Sequence, residues 1–326
     1  MHLDDNNEEF RTDILKGLSN PIQKSVPSKY LYDNRGSYLF EQITVQPEYY
    51  PTRTENSILE EYSDKILQNI PKEIILIEMG SGSSKKTKHL FDTILKRQDK
   101  LYYFPIDISF NFLDSVVTDL ETQNENIMIK GIPNDYINGI KDCNNILFEN
   151  NFKFDSFSRI IIFFGSSIGN FEIDEARDFL KAVRLNMNDK DYLLVGFDLI
   201  KDQFLIEPAY NDKAGYTAQF NLNLLTRMNR ELGCNFDLRE YVHYAFFNKE
   251  KDRIEMHLKS ISDQEVRILG YDKIFHISRG ETIHTENSYK YSEDKIQRLV
   301  IRSGLSIEKI FSDNNNWFNL VLLKPC

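Results

Sequence analysis

The sequence predicts an α/β fold built on a parallel sheet with helices on both faces, and three features carry that prediction. From Ile74 to about Ile200, strand-like and helix-like segments alternate, which is the pattern of strands joined by helical crossovers. The first strand candidate, IILIEM at Ile74 to Met79, is apolar except for Glu78 and runs directly into Gly80, Ser81 and Gly82. A strand this apolar is expected to be buried on both faces, and the glycines let a loop approach a ligand closely. Near the C-terminus a helix, SEDKIQRLVIRSGL, is followed by two strands, LSIEKIFSD and WFNLVLLKP, around the polar turn Asp313 to Asn316. A closing antiparallel hairpin on the sheet follows.

In chain order the remaining strands are expected at LYYFPIDI (101–108), NIMIKGIP (126–133), SRIIIFFG (158–165) and DYLLVGFDLI (191–200), with helices over KKTKHLFDTILKR and EARDFLKAVRLNM. Two stretches stand outside this alternation. Residues 1–55 are aromatic and polar, while residues from about 201 to 289 carry a helix, TAQFNLNLLTRMNREL, and strand-like runs REYVHYAFF, DRIEMHLKSI and QEVRIL. Together they are expected to form a second α+β domain, discontinuous in sequence, that closes over the carboxyl ends of the sheet. The expected division is 56–200 with 290–326 for the first domain and 1–55 with 201–289 for the second.

Composition narrows the class. At 326 residues, 41% of them hydrophobic, the chain suffices for one large or two ordinary packed domains. Apolar runs such as Ile160 to Phe164 are strand-sized, and the acidic start MHLDDNNEEFRTDI lacks the order of a secretory signal, so a cytoplasmic protein without a membrane span is expected. A net charge of -10 disfavours a nucleic-acid partner. The dense basic cluster Lys85, Lys86 and Lys88 falls at the start of a helix, where a solvated face explains it at least as well as a partner site. Cys143, Cys234 and Cys326 are widely spaced and odd in number, which argues against both a zinc cluster and a disulfide framework; they are expected to be reduced and structural. His243, His257, His276 and His284 show no tight ligand spacing, so no metal is expected.

The glycine loop matches neither phosphate-binding pattern well. Lys85 stands where a dinucleotide fingerprint needs its third glycine, and also where a phosphate loop needs its second, although Lys86 and Thr87 fit the latter. Asp107, ending the next strand, lies at about the spacing at which a carboxylate grips ribose hydroxyls. A glycine loop with a ribose carboxylate and no pyrophosphate cradle suits an adenosyl ligand such as S-adenosylmethionine.

At Tyr32 to Arg53, YDNRGSYLFEQITVQPEYYPTR, the sequence closely resembles the histidine-specific S-adenosylmethionine methyltransferases, whose ergothioneine-pathway members convert histidine to its Nα-trimethyl betaine, hercynine. The resemblance continues in family order through IEMGSGSSKKT, FFGSSIGNF, DLIKD, AYNDKAGYTAQFNLNLLTRMNREL, RIEMHL and TENSYKY, covering nearly the whole chain. It implies a Rossmann-like class I methyltransferase sheet beside a substrate-binding domain, and a monomer is expected. It also implies that Gly80, Ser81, Gly82, Lys86 and Asp107 hold the cofactor, with Asp135 and Tyr136 near the adenine. The substrate pocket it implies is lined by Tyr32, Phe40, Tyr49, Gly165, Asn170, Tyr210, Met256, Glu286 and Ser288. Within it, Asn170, Tyr49 and Tyr210 would hold the α-amino and carboxylate end, and Glu286 and Ser288 the imidazole.

The chemistry is consistent with that division: tyrosine hydroxyls and an amide bind a carboxylate without adding charge, and a carboxylate with a nearby hydroxyl can orient an imidazole. The reaction implied is in-line attack of a neutral α-amine on the sulfonium methyl, up to three times, with water near Tyr32 or Asn170 as the proton exit. No general base stands out. Each residue also has a plainer reading: Tyr49 and Tyr50 before Pro51 as a packed aromatic turn, Met256 as core filler, Glu286 as a solvated strand carboxylate. A sister activity on tryptophan or a histidine derivative, a nucleic-acid methyltransferase and a non-catalytic cofactor-binding protein are the alternatives. An activity on an indole substrate such as tryptophan should lack a carboxylate at position 286, and a non-catalytic protein would tolerate loss of the pocket residues, all of which are present.

Overall fold

The computed structural model describes residues 2–71, 73–153 and 156–326. Its strands in chain order are β1 (Lys24–Ser25), β2 (Ile74–Met79), β3 (Leu101–Ile106), β4 (Ile127–Ile129), β5 (Ser158–Phe163), β6 (Tyr192–Asp198), β7 (Tyr241–Asn248), β8 (Arg253–Ser260), β9 (Gln264–Arg267), β10 (Ile274–Ile277), β11 (Thr282–Tyr289), β12 (Leu305–Ser312) and β13 (Phe318–Pro325). The α-helices are α1 (His2–Leu18), α2 (Asn34–Thr44), α3 (Tyr50–Leu67), α4 (Lys88–Leu95), α5 (Phe110–Gln123), α6 (Tyr136–Glu149), α7 (Ile173–Leu185), α8 (Gln203–Ile206), α9 (Tyr216–Leu232) and α10 (Glu293–Arg302). The chain forms two compact units, residues 50–201 with 289–326, and residues 1–49 with 202–288.

The larger unit is a seven-stranded sheet in the order β12-β13-β6-β5-β2-β3-β4. Strands β2 to β6 pair in parallel, and β13 joins β6 antiparallel before turning into β12. The expected closing hairpin is therefore present. Alternation along β2 accounts for the two cores: Ile75, Ile77 and Met79 pack into one apolar cluster with α6, α7 and α10, and Ile74 and Leu76 into another with α3 and α4. Every residue of β2 is buried, as a parallel strand covered on both faces requires. The expected strand 126–133 shrinks to β4 because Pro105, in the facing stretch of β3, has no N–H to offer the ladder; beyond Ile129 the Lys130 amide still donates to the Tyr103 carbonyl, and the bridge Ile106 to Ile132 follows.

The smaller unit is built on a four-stranded sheet, β1-β11-β8-β7, with the two-stranded β9-β10 hairpin beside it. Helix α9 packs on β7 and β8, and α2 packs on α9. Asp33 caps α2 by accepting from the Gly36 amide at 2.8 Å, and the same carboxylate accepts from Asn223 (2.8 Å) and Arg230 (2.8 Å) of α9, so a helix cap also fastens two helices. Helices α1 and α2 lie in the polar N-terminal stretch, where no apolar run announced them.

Asp198, the last residue of β6, is fully buried. Its carboxylate accepts from the Tyr50 hydroxyl at 2.7 Å, lies 2.8 Å from the Lys290 ammonium, which is itself fully buried, and is paired with Lys201. Burial alone would raise the Asp198 pKa, yet the ammonium groups of Lys290 and Lys201 hold it below the usual carboxylate range. Burial in turn pushes Lys201 down to about 8. Because the chain passes between the units after Tyr49, Lys201 and Ser288, the three side chains gathered on Asp198 each come from within two residues of a passage. Asp198→Asn leaves two cations buried without their counter-charge and is expected to cost about 3–5 kcal/mol in denaturant unfolding. Adding Lys290→Met should recover part of that loss; a single variant as stable as the parent would show that the cluster does not hold the fold.

Candidate functional site

In the larger unit the loop after β2 folds back on the end of β3. The Gly80 and Ser81 amides donate to the Ile106 carbonyl at 2.8 Å and 3.2 Å. Gly82 has φ +50°, in the region that favours glycine, and its amide donates to Asp107 Oδ2 at 3.2 Å, while Ser109 N donates to Oδ1 at 2.9 Å. Burial raises the Asp107 pKa, and the two amide hydrogen bonds work against that rise. Each carboxylate oxygen has a second lone pair, so Asp107 can accept further hydroxyls. The Tyr136 ring covers Gly80, where a Cβ would sit 3.3 Å from the phenol oxygen. Ser81 Oγ is buried and has no hydrogen-bond partner among the described residues. The structure thus brings Gly80, Ser81, Gly82, Asp107 and Tyr136 together. Asp135 is exposed and caps α6, its Oδ1 accepting from Ile137 N (3.1 Å) and Asn138 N (2.9 Å).

Two buried carboxylates support the loop. Glu78 accepts from Thr87 Oγ1 at 2.7 Å and from the Tyr103 hydroxyl, and burial pushes its pKa up to about 7. Glu55 of α3, with no exposed surface, pairs with Lys86 and accepts from the Gly165 amide at 2.9 Å. Lys86 is therefore not part of a solvated helix face: it precedes α4, and its ammonium points inward to Glu55. Glu55 escaped the sequence reading because it stands 110 residues from Gly165 and in no motif. Gly165 and Ser166 both have positive φ and lead into a short 3₁₀ turn, Ser167–Asn170. Asn170 ends that turn partly exposed. At Gly169 a Cβ would come within 2.8 Å of the Tyr289 carbonyl, so only glycine fits.

In the smaller unit an aromatic cluster assembles from segments far apart in sequence. Tyr32 meets Phe40 (ring centroids 5.6 Å apart) and Phe220 (5.3 Å), Phe40 meets Tyr49 (6.2 Å), and Tyr49 meets Tyr210 (6.3 Å). The Tyr210 and Ser288 hydroxyls share a hydrogen bond of 2.6 Å. Phe220, on the buried side of α9, was not singled out from the sequence; its place in the block AGYTAQF was the available signal.

In β11, His284 lies 4.9 Å, ring to ring, from His257 of β8, and Thr285 Oγ1 donates to the Met256 carbonyl at 3.0 Å. Glu286 is buried, so it is not a solvated strand carboxylate; Met256 is buried too, as its reading as core filler also expects. Of the residues expected to line a substrate pocket, Tyr32, Phe40, Tyr49, Tyr210, Met256, Glu286 and Ser288 belong to this unit, and Gly165 and Asn170 to the other.

Among the described residues no group of His, Cys, Asp and Glu is arranged to hold a metal ion, and no helix is long and apolar enough to cross a membrane. The three cysteines are free; Cys143 and Cys234 are buried, and burial raises both thiol pKa values.

A family model described as histidine-specific, S-adenosylmethionine-dependent methyltransferase matches residues 10–325. The chain is 34% identical over 315 residues to histidine N-alpha-methyltransferase of Mycolicibacterium smegmatis, covering 97% of this chain and 94% of that one. It is also 34% identical over 313 residues to the Mycobacterium tuberculosis protein of the same name, covering 96% and 94%. Against ergothioneine biosynthesis protein 1 of Schizosaccharomyces pombe it is 28% identical over 289 residues, covering 86% of this chain and 36% of that larger protein. An α/β sheet closed by an antiparallel hairpin, a glycine loop tied to Asp107 and a family match over nearly the full length lead to one conclusion: the chain belongs to the histidine-specific methyltransferase family and is an S-adenosylmethionine-dependent N-methyltransferase.

Proposed function

We propose that the protein transfers methyl groups from S-adenosylmethionine to the α-amine of L-histidine, three times in succession, to give hercynine, a step of ergothioneine biosynthesis. The observation that carries the substrate reading is the buried pair Glu286 and Ser288, two residues apart in β11, with the Ser288 hydroxyl 2.6 Å from that of Tyr210. A carboxylate can accept from an imidazole N–H, and a hydroxyl beside it can orient the ring. The relatives named for histidine methylation support the same substrate.

The unit of residues 50–201 and 289–326 takes the cofactor in this reading, and the other unit takes the amino acid. The residues present fit the cofactor: Asp107 is placed to accept the ribose hydroxyls, Gly80 and Gly82 leave room for close approach, Lys86 is a cation for the carboxylate end, and Ser81 Oγ is a buried hydroxyl still in need of a partner. Tyr136 and the backbone near Asp135 receive the adenine. S-adenosylmethionine supplies, when bound, a methyl group already activated on a sulfonium. The protein's own contribution is alignment. Tyr49, Tyr210 and Asn170 hold the α-amino and carboxylate end with neutral groups, so the carboxylate is bound without a competing charge. The rings of Tyr32, Phe40 and Tyr49 stabilise the growing ammonium by cation–π attraction of ~0.5–2 kcal/mol. Tyr32 and water beside Asn170 carry away the proton that the amine must lose before each transfer.

With L-histidine and S-adenosylmethionine, mass spectrometry should show products bearing one, two and three additional methyl groups. No methylated histidine at saturating cofactor would refute the assignment. Asp107→Ala removes an acceptor of two charge-assisted hydrogen bonds, each about 1.5–3 kcal/mol, and should weaken cofactor binding at least about tenfold by calorimetry. An unchanged dissociation constant in a folded variant would remove Asp107 from the site. Glu286→Ala leaves the imidazole donor without its acceptor, a loss of roughly 1–3 kcal/mol, so kcat/KM for histidine should fall about tenfold or more. If Glu286 serves only the fold, unfolding free energy changes and the specificity constant does not.

A further inference from the structure

Glu55 is a carboxylate with no exposed surface whose partners are the two elements that flank the glycine loop's far side. Both of its oxygens accept from the Gly165 amide, at 3.0 Å and 2.9 Å, and it forms an ion pair with Lys86. The sheet makes room for it: at Gly196 of β6 a Cβ would stand 2.3 Å from Glu55 Oε1, so any larger residue there would displace the carboxylate. Lys86 also lies over the Phe164 ring, 5.5 Å from its centroid, and its side chain keeps 22% of its surface exposed. A lysine ammonium has three donors on a flexible stem; one donor bound to a fixed, buried carboxylate leaves the group held in place yet able to donate outward.

We propose that Glu55 is a positioning residue for the amino-acid end of the cofactor: it fixes the Lys86 ammonium where that group meets the cofactor's α-carboxylate, and fixes the Gly165 amide beside it. The proposal rests on the reading of the glycine loop as the S-adenosylmethionine site. A group that merely stabilises the fold would affect all adenosyl ligands alike. One that positions Lys86 affects only ligands that carry the amino-acid end.

S-adenosylhomocysteine and 5′-methylthioadenosine share the adenosyl thioether and differ in that end, so calorimetry with both separates the two roles. Glu55→Gln, which keeps an acceptor for Gly165 but loses the charge, should weaken S-adenosylhomocysteine about tenfold and leave 5′-methylthioadenosine within about twofold. Glu55→Asp keeps the charge but withdraws it from Lys86; it should show the same selectivity to a smaller degree and provides the measurement should the glutamine variant fail to fold. Equal weakening of both ligands in a folded variant, or no weakening of either, overturns the positioning role. A parent protein that binds neither ligand overturns the cofactor reading itself, and the proposal with it.

Discussion

One buried carboxylate gathers the segments through which the chain enters and leaves the larger unit. Asp198 sits at the end of β6, under two lysines and a tyrosine, and no part of it reaches solvent. A charge in that position is tolerable only because it is paired and hydrogen-bonded, and its partners are tolerable only because of it. With two ammonium groups for one carboxylate, the surplus positive charge and the burial fall on Lys201, whose proton is held less tightly than usual. The partners come from α3, from the segment after β6 and from the segment after β11, which are the stretches through which the chain enters and leaves the larger unit. Their placement is therefore a matter of electrostatics as much as of apolar packing.

Around the glycine loop, three more carboxylates lie near one another and are kept apart chemically by different means. Glu78 is held by two hydroxyls, and burial raises its pKa to about 7 against the pull of the Lys86 charge. Glu55 has a lysine and a backbone amide. Asp107 has backbone amides alone and faces the loop. The arrangement leaves Asp107 as the carboxylate with acceptor capacity toward a ligand, while Glu55 and Glu78 are engaged within the protein. An Asp at the end of the second strand thus differs from its neighbours in what surrounds it rather than in residue type.

The smaller unit gathers its rings into one cluster. Tyr32, Phe40, Tyr49, Tyr210 and Phe220 come from three separate segments, and their edge-to-face and tilted contacts at 5.3–6.3 Å hold each ring by its neighbours. Glu286 and Ser288 are buried near the end of β11, and the Ser288 hydroxyl shares a hydrogen bond with Tyr210 of the ring cluster.

The sequence by itself determined the parallel sheet, its closing hairpin, the glycine loop and Asp107, because apolar runs, glycines and a terminal carboxylate are local signals that survive without their surroundings. It also placed the family, since long blocks such as YDNRGSYLFEQITVQPEYYPTR stand in order along the chain. It did not show α1 and α2, whose polar sequences are helical by virtue of what they pack on, nor the shortness of β4. Only the tertiary structure decided which carboxylates are buried and by what they are held: Glu55 with Lys86 and Gly165, Asp198 with Tyr50 and Lys290, contacts spanning 31 to 148 residues. Such pairings leave no periodicity or spacing in the sequence, because a charge's partner is set by where the chain returns in space, and burial, which fixes how strongly the pair interacts, is a property of the whole fold.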